Sequence, residues 1–199
     1  MQPSASVRFF DDQFQRQLRD ADLRLNPFEE RALDYVQGRV LDFGCGLGNL
    51  AIAAALRGCS VLALDASATA IGHIRRVAGE RSLSIESAEV DLRAYHLQEE
   101  FDTVVCIGLL MFFDCPTALR QLSELQSHVR PGGYAVINVL VEGTTYLDMF
   151  DAASYCLLPR DELHKRFLGW EIVLSEFQDF AAPREQVKSF CTLVARKPR

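Results

Sequence analysis

The sequence predicts an α/β fold: a doubly wound, seven-stranded sheet, mostly parallel, closed by an antiparallel C-terminal hairpin. Three observations lead there. Between Arg39 and Val141 short apolar runs alternate with helical patterns, which is how parallel strands covered on both faces read. The first of these runs passes at once into a glycine-rich loop and a helix. The last two β-rich runs are joined by a Pro-containing connection with no room for a crossover helix, so they must pair antiparallel.

The N-terminal part reads as two helices. Across Val7–Leu25, Phe9, Phe10, Phe14, Leu18 and Leu25 recur at mostly helical intervals in a polar background, giving an amphipathic helix. At Asn26 a second helix starts cleanly: Asn26 caps free amides, Pro27 suits the first helical position, and Glu29 completes a capping box. It is expected to reach Val36 and end near Gly38. Strands follow at Arg39–Phe43, Ser60–Leu64, Leu83–Val90, Phe101–Cys106, Tyr134–Val141, Trp170–Phe177 and Val187–Arg196. Helices are expected at Asn49–Arg57, Ala68–Glu80, Pro116–Val129 and Arg160–Phe167, with a short one near Ala94–Gln98. Pro131-Gly132-Gly133 reads as a turn, and Glu142–Leu158 has no clear period. No repeat, low-complexity segment or linker divides residues 1–199, so a single domain is expected.

Composition narrows the function. With 49% hydrophobic residues in 199, one full core needs no cross-linking. The longest apolar run, Val104–Phe113, is far short of the roughly 20 residues that span a bilayer. Met1–Ser6 lack the basic start and apolar stretch of a signal peptide, so a cytoplasmic protein with no membrane association is expected. The six cysteines stand singly, without the close spacing of a zinc or dithiol site; most are expected to be buried, reduced thiols, and no metal is expected. The net charge of −6, with scattered Lys and Arg, disfavours nucleic acid as a main partner. A small-molecule substrate and a monomer or homodimer are the expectation.

The informative stretch is Val40-Leu41-Asp42-Phe43-Gly44-Cys45-Gly46-Leu47-Gly48-Asn49. A strand delivers an acid, three alternating glycines follow, and a helix begins. Such a loop lets a ligand approach main chain beside the free N–H groups of a helix start. Dinucleotide-binding folds use G-x-G-x-x-G at the same place, whereas here the spacing is G-x-G-x-G. Asp42 stands two residues before the glycines, where a pyrophosphate would meet an unwelcome negative charge. A cationic ligand suits a carboxylate there.

This stretch is similar to motif I of the class I methyltransferases that use S-adenosylmethionine (SAM), and the order of motifs continues. Asp65 ends the second strand, where the family accepts hydrogen bonds from both ribose hydroxyls; Ala66 follows it. Asp91-Leu92 falls where the family has an acidic or polar residue by the adenine amino group, although an acid after a strand also commonly starts a turn. Phe101–Cys106 resembles the fourth motif, whose strand end, at Cys106-Ile107, lines the methionine side. The resemblance implies a Rossmann-like core at 39–141, SAM as donor and S-adenosylhomocysteine as product. It implies donor contacts from Asp42, Gly44, Cys45, Gly46, Gly48, Asn49, Asp65, Ala66, Asp91, Leu92, Cys106 and Ile107. The Leu110-Met111-Phe112-Phe113 segment, the Leu163–Arg166 helix and Gly169-Trp170-Glu171 are similar to tellurite-resistance-type methyltransferases, which implies a small, soft acceptor.

Residues 1–38 and 142–199 are then expected on the acceptor side, with the aromatic N-terminal helix and Glu142–Leu158 covering the site. Phe9, Phe10, Phe112, Phe113 and Tyr146 are the acceptor-pocket candidates, with Tyr155 near them, though each alone also reads as core. Cys45, between two glycines, reads as packing. No convincing general base is present: His73, His96 and His128 read as structural or solvent-facing, leaving His164 and Tyr146 as catalytic candidates. That favours an acceptor already nucleophilic, a thiolate, chalcogen anion or amine. The rivals are an NAD(P)-dependent oxidoreductase and a SAM-binding module without catalysis.

Overall fold

The first sheet residues set the frame: Val40–Phe43 are all buried, so this strand has to lie inside the sheet with neighbours on both sides. The computed structural model describes residues 5–151 and 154–199; residues 1–4, at the head of the N-terminal segment, and 152–153, within Glu142–Leu158, lie outside the described residues. The elements in order are α1 (Ala5–Arg19), α2 (Pro27–Ala32), β1 (Arg39–Phe43), α3 (Asn49–Leu56), β2 (Ser60–Asp65), α4 (Ala68–Arg81), β3 (Ile85–Glu89), β4 (Phe101–Ile107), a 3-10 turn at Leu110–Phe112, α5 (Cys115–Ser127), β5 (Val129–Leu140), α6 (Glu162–Arg166), β6 (Glu171–Ala182) and β7 (Gln186–Arg196).

The seven strands form one sheet in the order β3-β2-β1-β4-β5-β7-β6. β1 to β5 run parallel, and β7 pairs antiparallel with β5 and with β6, as the sequence predicts. Successive β1 residues feed opposite layers. Val40 packs with Ala51, Ala54, Ile71 and Ile74 of α3 and α4, and Leu41 with Leu122 and Leu125 of α5 and Phe167. Helices therefore cover both faces. Among the described residues no helix is long and apolar enough to cross a membrane.

Several boundaries differ from the sequence reading, each for a local reason. α1 stops at Arg19 instead of Leu25 because Ala21 takes a left-handed φ of 53°. The capping box of α2 forms: Phe28 and Glu29 N–H donate to Asn26 Oδ1 at 2.9 and 3.0 Å, and Asn26 N–H donates to Glu29 Oε2 at 2.8 Å. Yet α2 ends at Ala32, because Thr103 draws the following chain onto β4. Its hydroxyl accepts from Gln37 N–H at 3.1 Å and donates toward the Tyr35 and Gln37 carbonyls at 3.2 Å. The helix expected near Ala94–Gln98 is absent. Side chains of α5 take over its backbone groups, Gln121 donating to the Arg93 and Tyr95 carbonyls and Glu124 accepting from Leu97 N–H. β5 begins at Val129, before the Pro131-Gly132-Gly133 stretch read as a turn, and its register with β4 shifts between Phe101 and Thr103. The terminal hairpin is longer than expected, turning at Arg184 and Glu185, both with positive φ.

The cysteine expectation needs correction at two positions. Cys45, Cys59, Cys106 and Cys191 are free and buried, but Cys115 and Cys156 form a disulfide across a sequence separation of 41. Folding brings together residues whose spacing gave no sign of pairing. The bond ties the start of α5 to the stretch that follows β5, beside a backbone bond from Cys156 N–H to the Met111 carbonyl at 3.0 Å. Closing a loop of this length stabilises by about 4 kcal/mol in the chain-entropy treatment. Thiol titration of the denatured, unreduced protein is expected to count four thiols, rising to six after reduction. Replacing both cysteines with Ser is expected to lower Tm by roughly 8–16 °C at about 2–4 °C per kcal/mol.

Candidate functional site

At the carboxyl ends of the parallel strands the main chain turns from β1 into α3, and this turn is built for close approach. Gly44 and Cys45 N–H donate to the Leu64 carbonyl at 2.8 and 3.1 Å, so the loop starts tied to β2. Gly46 N–H then donates to Asp65 Oδ2 at 2.8 Å, while Ser67 N–H donates to Oδ1 at 2.9 Å. Each carboxylate oxygen keeps a second acceptor position. Gly48 caps α3 with φ 75°, and a Cβ there would lie 2.5 Å from Ile74 Cγ1, so only glycine fits.

Beside this loop lies a cavity of about 750 Å³, within the size range of ligand pockets. Of the donor residues expected from the sequence, Asp42, Gly44, Cys45, Gly46, Asn49, Asp65, Ala66, Asp91, Leu92 and Ile107 line it, as do Phe9, Phe10, Phe112, Phe113 and Tyr146. Gly48 and Cys106 do not: Gly48 packs toward Ile74, and Cys106 is fully buried one residue before Ile107. His164 does not line the cavity either, since α6 sits on the far layer where Leu163 joins the α5 core. Tyr155 stands behind the wall, stacked on Phe150 at 5.0 Å.

The electrostatics of one end are strongly acidic. Asp42 is 5% exposed, and its Oδ2 has no hydrogen-bond partner among the described residues. Burial, then the Glu29 and Asp65 carboxylates, push its carboxyl up to about 8. Burial also raises Glu29 and Asp65 from their ordinary values. Three carboxyl groups facing one space, one with an orphan oxygen, fit a cation. Cys45 stays a neutral thiol, held well above its usual value by burial and by Asp42 and Asp65, consistent with packing. Asp91 differs: Arg93 bonds to it at 3.1 Å and holds its carboxyl low.

The roof comes from α1 and the stretch after β5. Asp11 accepts from the Ser67 hydroxyl at 2.6 Å, and Phe14 lies so close to Gly46 that a Cβ there would be 3.2 Å from its ring. Val7, Phe10, Gln13, Phe14 and Gln17 line the cavity from α1, and Tyr146 and Met149 from the other side. Phe10 meets Phe112 at 4.9 Å, and Phe112 meets Phe150 at 5.1 Å, so the two roof segments touch through aromatic edges. Sequence reasoning missed Glu29, read only as a helix cap, and Phe28, Asn138, Lys188 and Phe190. Asn138 and the β7 residues sit in strands whose alternation gave them no mark beyond burial. Among the described residues no group of three or more His, Cys, Asp or Glu side chains is arranged to hold a metal ion.

Residues 40–133 match the family model described as a methyltransferase domain. Over 174 residues the chain is 28% identical to "Hemagglutinin 1" of Eikenella corrodens, covering 80% of this chain and 55% of that protein. It is 26% identical over 171 residues to "Probable S-adenosyl-L-methionine-dependent methyltransferase TehB" of Haemophilus influenzae, covering 80% and 57%. The chain thus spans little more than half the length of these curated relatives. The crystal structure of TehB from Haemophilus influenzae superposes with a TM-score of 0.74 at 21% identity, covering 87% of this chain and 62% of that one. The N-methyltransferase NodS from Bradyrhizobium japonicum, solved with S-adenosylhomocysteine, superposes with a TM-score of 0.68 at 19% identity, covering 96% and 99%. Residues 40–133 thus carry a methyltransferase domain, and the strand order and the glycine loop agree with the resemblance to class I SAM-dependent methyltransferases.

Proposed function

We propose that the protein transfers a methyl group from SAM to a small-molecule acceptor whose reacting atom is a soft or already nucleophilic sulfur, chalcogen or nitrogen. The observation that carries the donor half is the buried, unpaired oxygen of Asp42, with Glu29 and Asp65 beside it, at one end of the cavity. A carboxylate so placed costs several kcal/mol unless a cation meets it. When bound, SAM supplies an electrophilic methyl group and the ammonium and sulfonium charges that such an acidic end suits.

The chain's own contribution is placement and exclusion of water. Asp65 holds the glycine loop through two backbone N–H groups and keeps acceptor positions for a pair of hydroxyls. The aromatic roof of Phe10, Phe14 and Phe112 keeps water from the reacting atoms, and electron-rich ring faces tolerate a sulfonium nearby. Proximity in a dry space supplies much of the rate when the acceptor needs no deprotonation. This fits a cavity in which His164 takes no part. Tyr146 remains the side chain placed to act on an acceptor, through its hydroxyl or its ring.

Calorimetry on the purified chain is expected to detect S-adenosylhomocysteine binding and no comparable binding of NADH; tight NADH binding without S-adenosylhomocysteine binding would overturn the reading in favour of an oxidoreductase. Asp65→Ala is expected to weaken S-adenosylhomocysteine at least tenfold. It should also lower the Tm of the free protein by roughly 5 °C or more, since Gly46 and Ser67 N–H each lose a charge-assisted bond worth about 1.5–3 kcal/mol.

Asp42 makes the pH dependence specific. Because its folded value is raised to about 8, its contribution to the stability of the free protein is present at low pH and is lost as pH rises through that value. At pH 7 it is mostly protonated, and a bound cation lowers its value. SAM binding at pH 7 is therefore expected to release protons, with affinity rising between pH 6 and 8. Calorimetry in two buffers of different ionisation enthalpy measures the release, and Asp42→Asn should abolish it.

A further inference from the structure

The cavity that holds the Asp42, Glu29 and Asp65 carboxylates is also lined by Lys188. Lys188 and Phe190 occupy alternate positions of β7 and both line the wall, with the buried Ser189 between them pointing into the sheet. Two other cations also reach the cavity, and both are neutralised: Arg93 by Asp91 at 3.1 Å, and Arg24 by Asp22 at 3.0 Å. Lys188 forms no ion pair among the described residues. Its Nζ stands 4.7 Å from the centre of the Tyr146 ring, and Tyr146 lines the same space.

The pair is held in place from behind. Thr145 and Tyr146 N–H both donate to the Val187 carbonyl, at 2.9 and 3.2 Å, and Val187 N–H donates to Thr145 Oγ1 at 2.9 Å. Thr144 Oγ1 accepts from Ser189 N–H at 3.0 Å. The loop bearing Tyr146 is thus laced to the strand bearing Lys188, which sets the two residues side by side. The same cavity is lined by the apolar side chains of Phe10, Phe112, Phe113 and Met149.

A cavity lined by carboxylates, apolar side chains and an ammonium that forms no ion pair can select a ligand by charges of both signs. We propose that Lys188 determines acceptor specificity by binding a carboxylate on the methyl acceptor, with Tyr146 and the aromatic wall taking an apolar, ring-sized body between that carboxylate and the reacting atom. The inference rests on the methyl-transfer reading and adds to it the class of acceptor. A charge-assisted bond to carboxylate replaces the water lost when the ammonium is covered, and the ring orders the body of the acceptor. Lys188 touches the acceptor away from the reacting atom, so its loss acts on binding and not on the displacement itself.

The test uses the whole chain and two thiols of matched shape, 4-mercaptobenzoate and 4-mercaptobenzyl alcohol. In turnover with SAM the thiol sulfur gains the methyl carbon as the donor's carbon–sulfonium bond breaks, and the thiol proton leaves to solvent. Calorimetry on the S-adenosylhomocysteine complex is expected to show the carboxylate binding at least tenfold tighter than the alcohol. Lys188→Met should erase that preference and Lys188→Arg keep most of it, with S-adenosylhomocysteine affinity unchanged in both variants. In turnover, Lys188→Met should raise KM for the carboxylate and leave kcat within about twofold. Equal binding of the two thiols, binding of neither, or a preference that survives Lys188→Met would overturn the proposal while S-adenosylhomocysteine binding still stands. Failure of the parent chain to bind S-adenosylhomocysteine would instead remove the methyl-transfer reading beneath it.

Discussion

The hydrogen bond from Gly46 N–H to the Asp65 carboxylate governs the geometry of the whole carboxyl edge of the sheet. It joins the loop leaving β1 to the last residue of β2, and so fixes the spacing of two neighbouring strand ends where a ligand would enter. The same carboxylate takes Ser67 N–H, which starts α4, and the Ser67 hydroxyl in turn donates to Asp11 of α1. One acidic side chain therefore sets the floor of the cavity and, through Ser67, the position of its roof. Asp42, two residues before the loop, is then committed to its buried place by strand pairing on both sides, whatever the cost of its charge.

The protein without ligand meets the cost of that position by holding the Asp42 carboxyl protonated up to about pH 8. β1 lies between β2 and β4 with every residue from Val40 to Phe43 buried, so Asp42 is held in the sheet and meets the outside only through the cavity it lines. Its neighbours Glu29 and Asp65 raise the cost further. A site of this kind favours the neutral carboxyl in the free state and the carboxylate when a cationic partner is bound.

How much of this was legible in the sequence follows from the range of each signal. The strand–acid–glycine–helix run is local in sequence, so Asp42, Gly44 and Gly46 read directly from spacing, and Asp65 reads from its place at the end of the next strand. The strands and the terminal hairpin also read from local alternation, whereas their order in the sheet came from the fold. What did not read were contacts made across the fold. The helix expected near Ala94–Gln98 failed because Gln121 and Glu124, far along the chain, claimed its backbone groups. Glu29 was visible as a cap, and its second position beside Asp42 required knowing where α2 docks. Lys188 looked like an ordinary strand residue until β7 was placed against the loop carrying Tyr146. The cysteine pair is the same lesson at longer range, since nothing in single, scattered thiols distinguishes the two that meet.

That pair also changes the topology of the molecule as a covalent object. The backbone from Cys115 to Cys156, with the bond that closes it, is a ring containing α5, β5 and the loop that carries Tyr146 and Met149. A peptide bond cut within this ring, even in its exposed turns, leaves a single connected chain where an open polymer would give two fragments. β5, the last strand of the parallel set, and the acceptor-side wall thus remain tethered after nicking, and the last strands β6 and β7 stay attached to the core they complete.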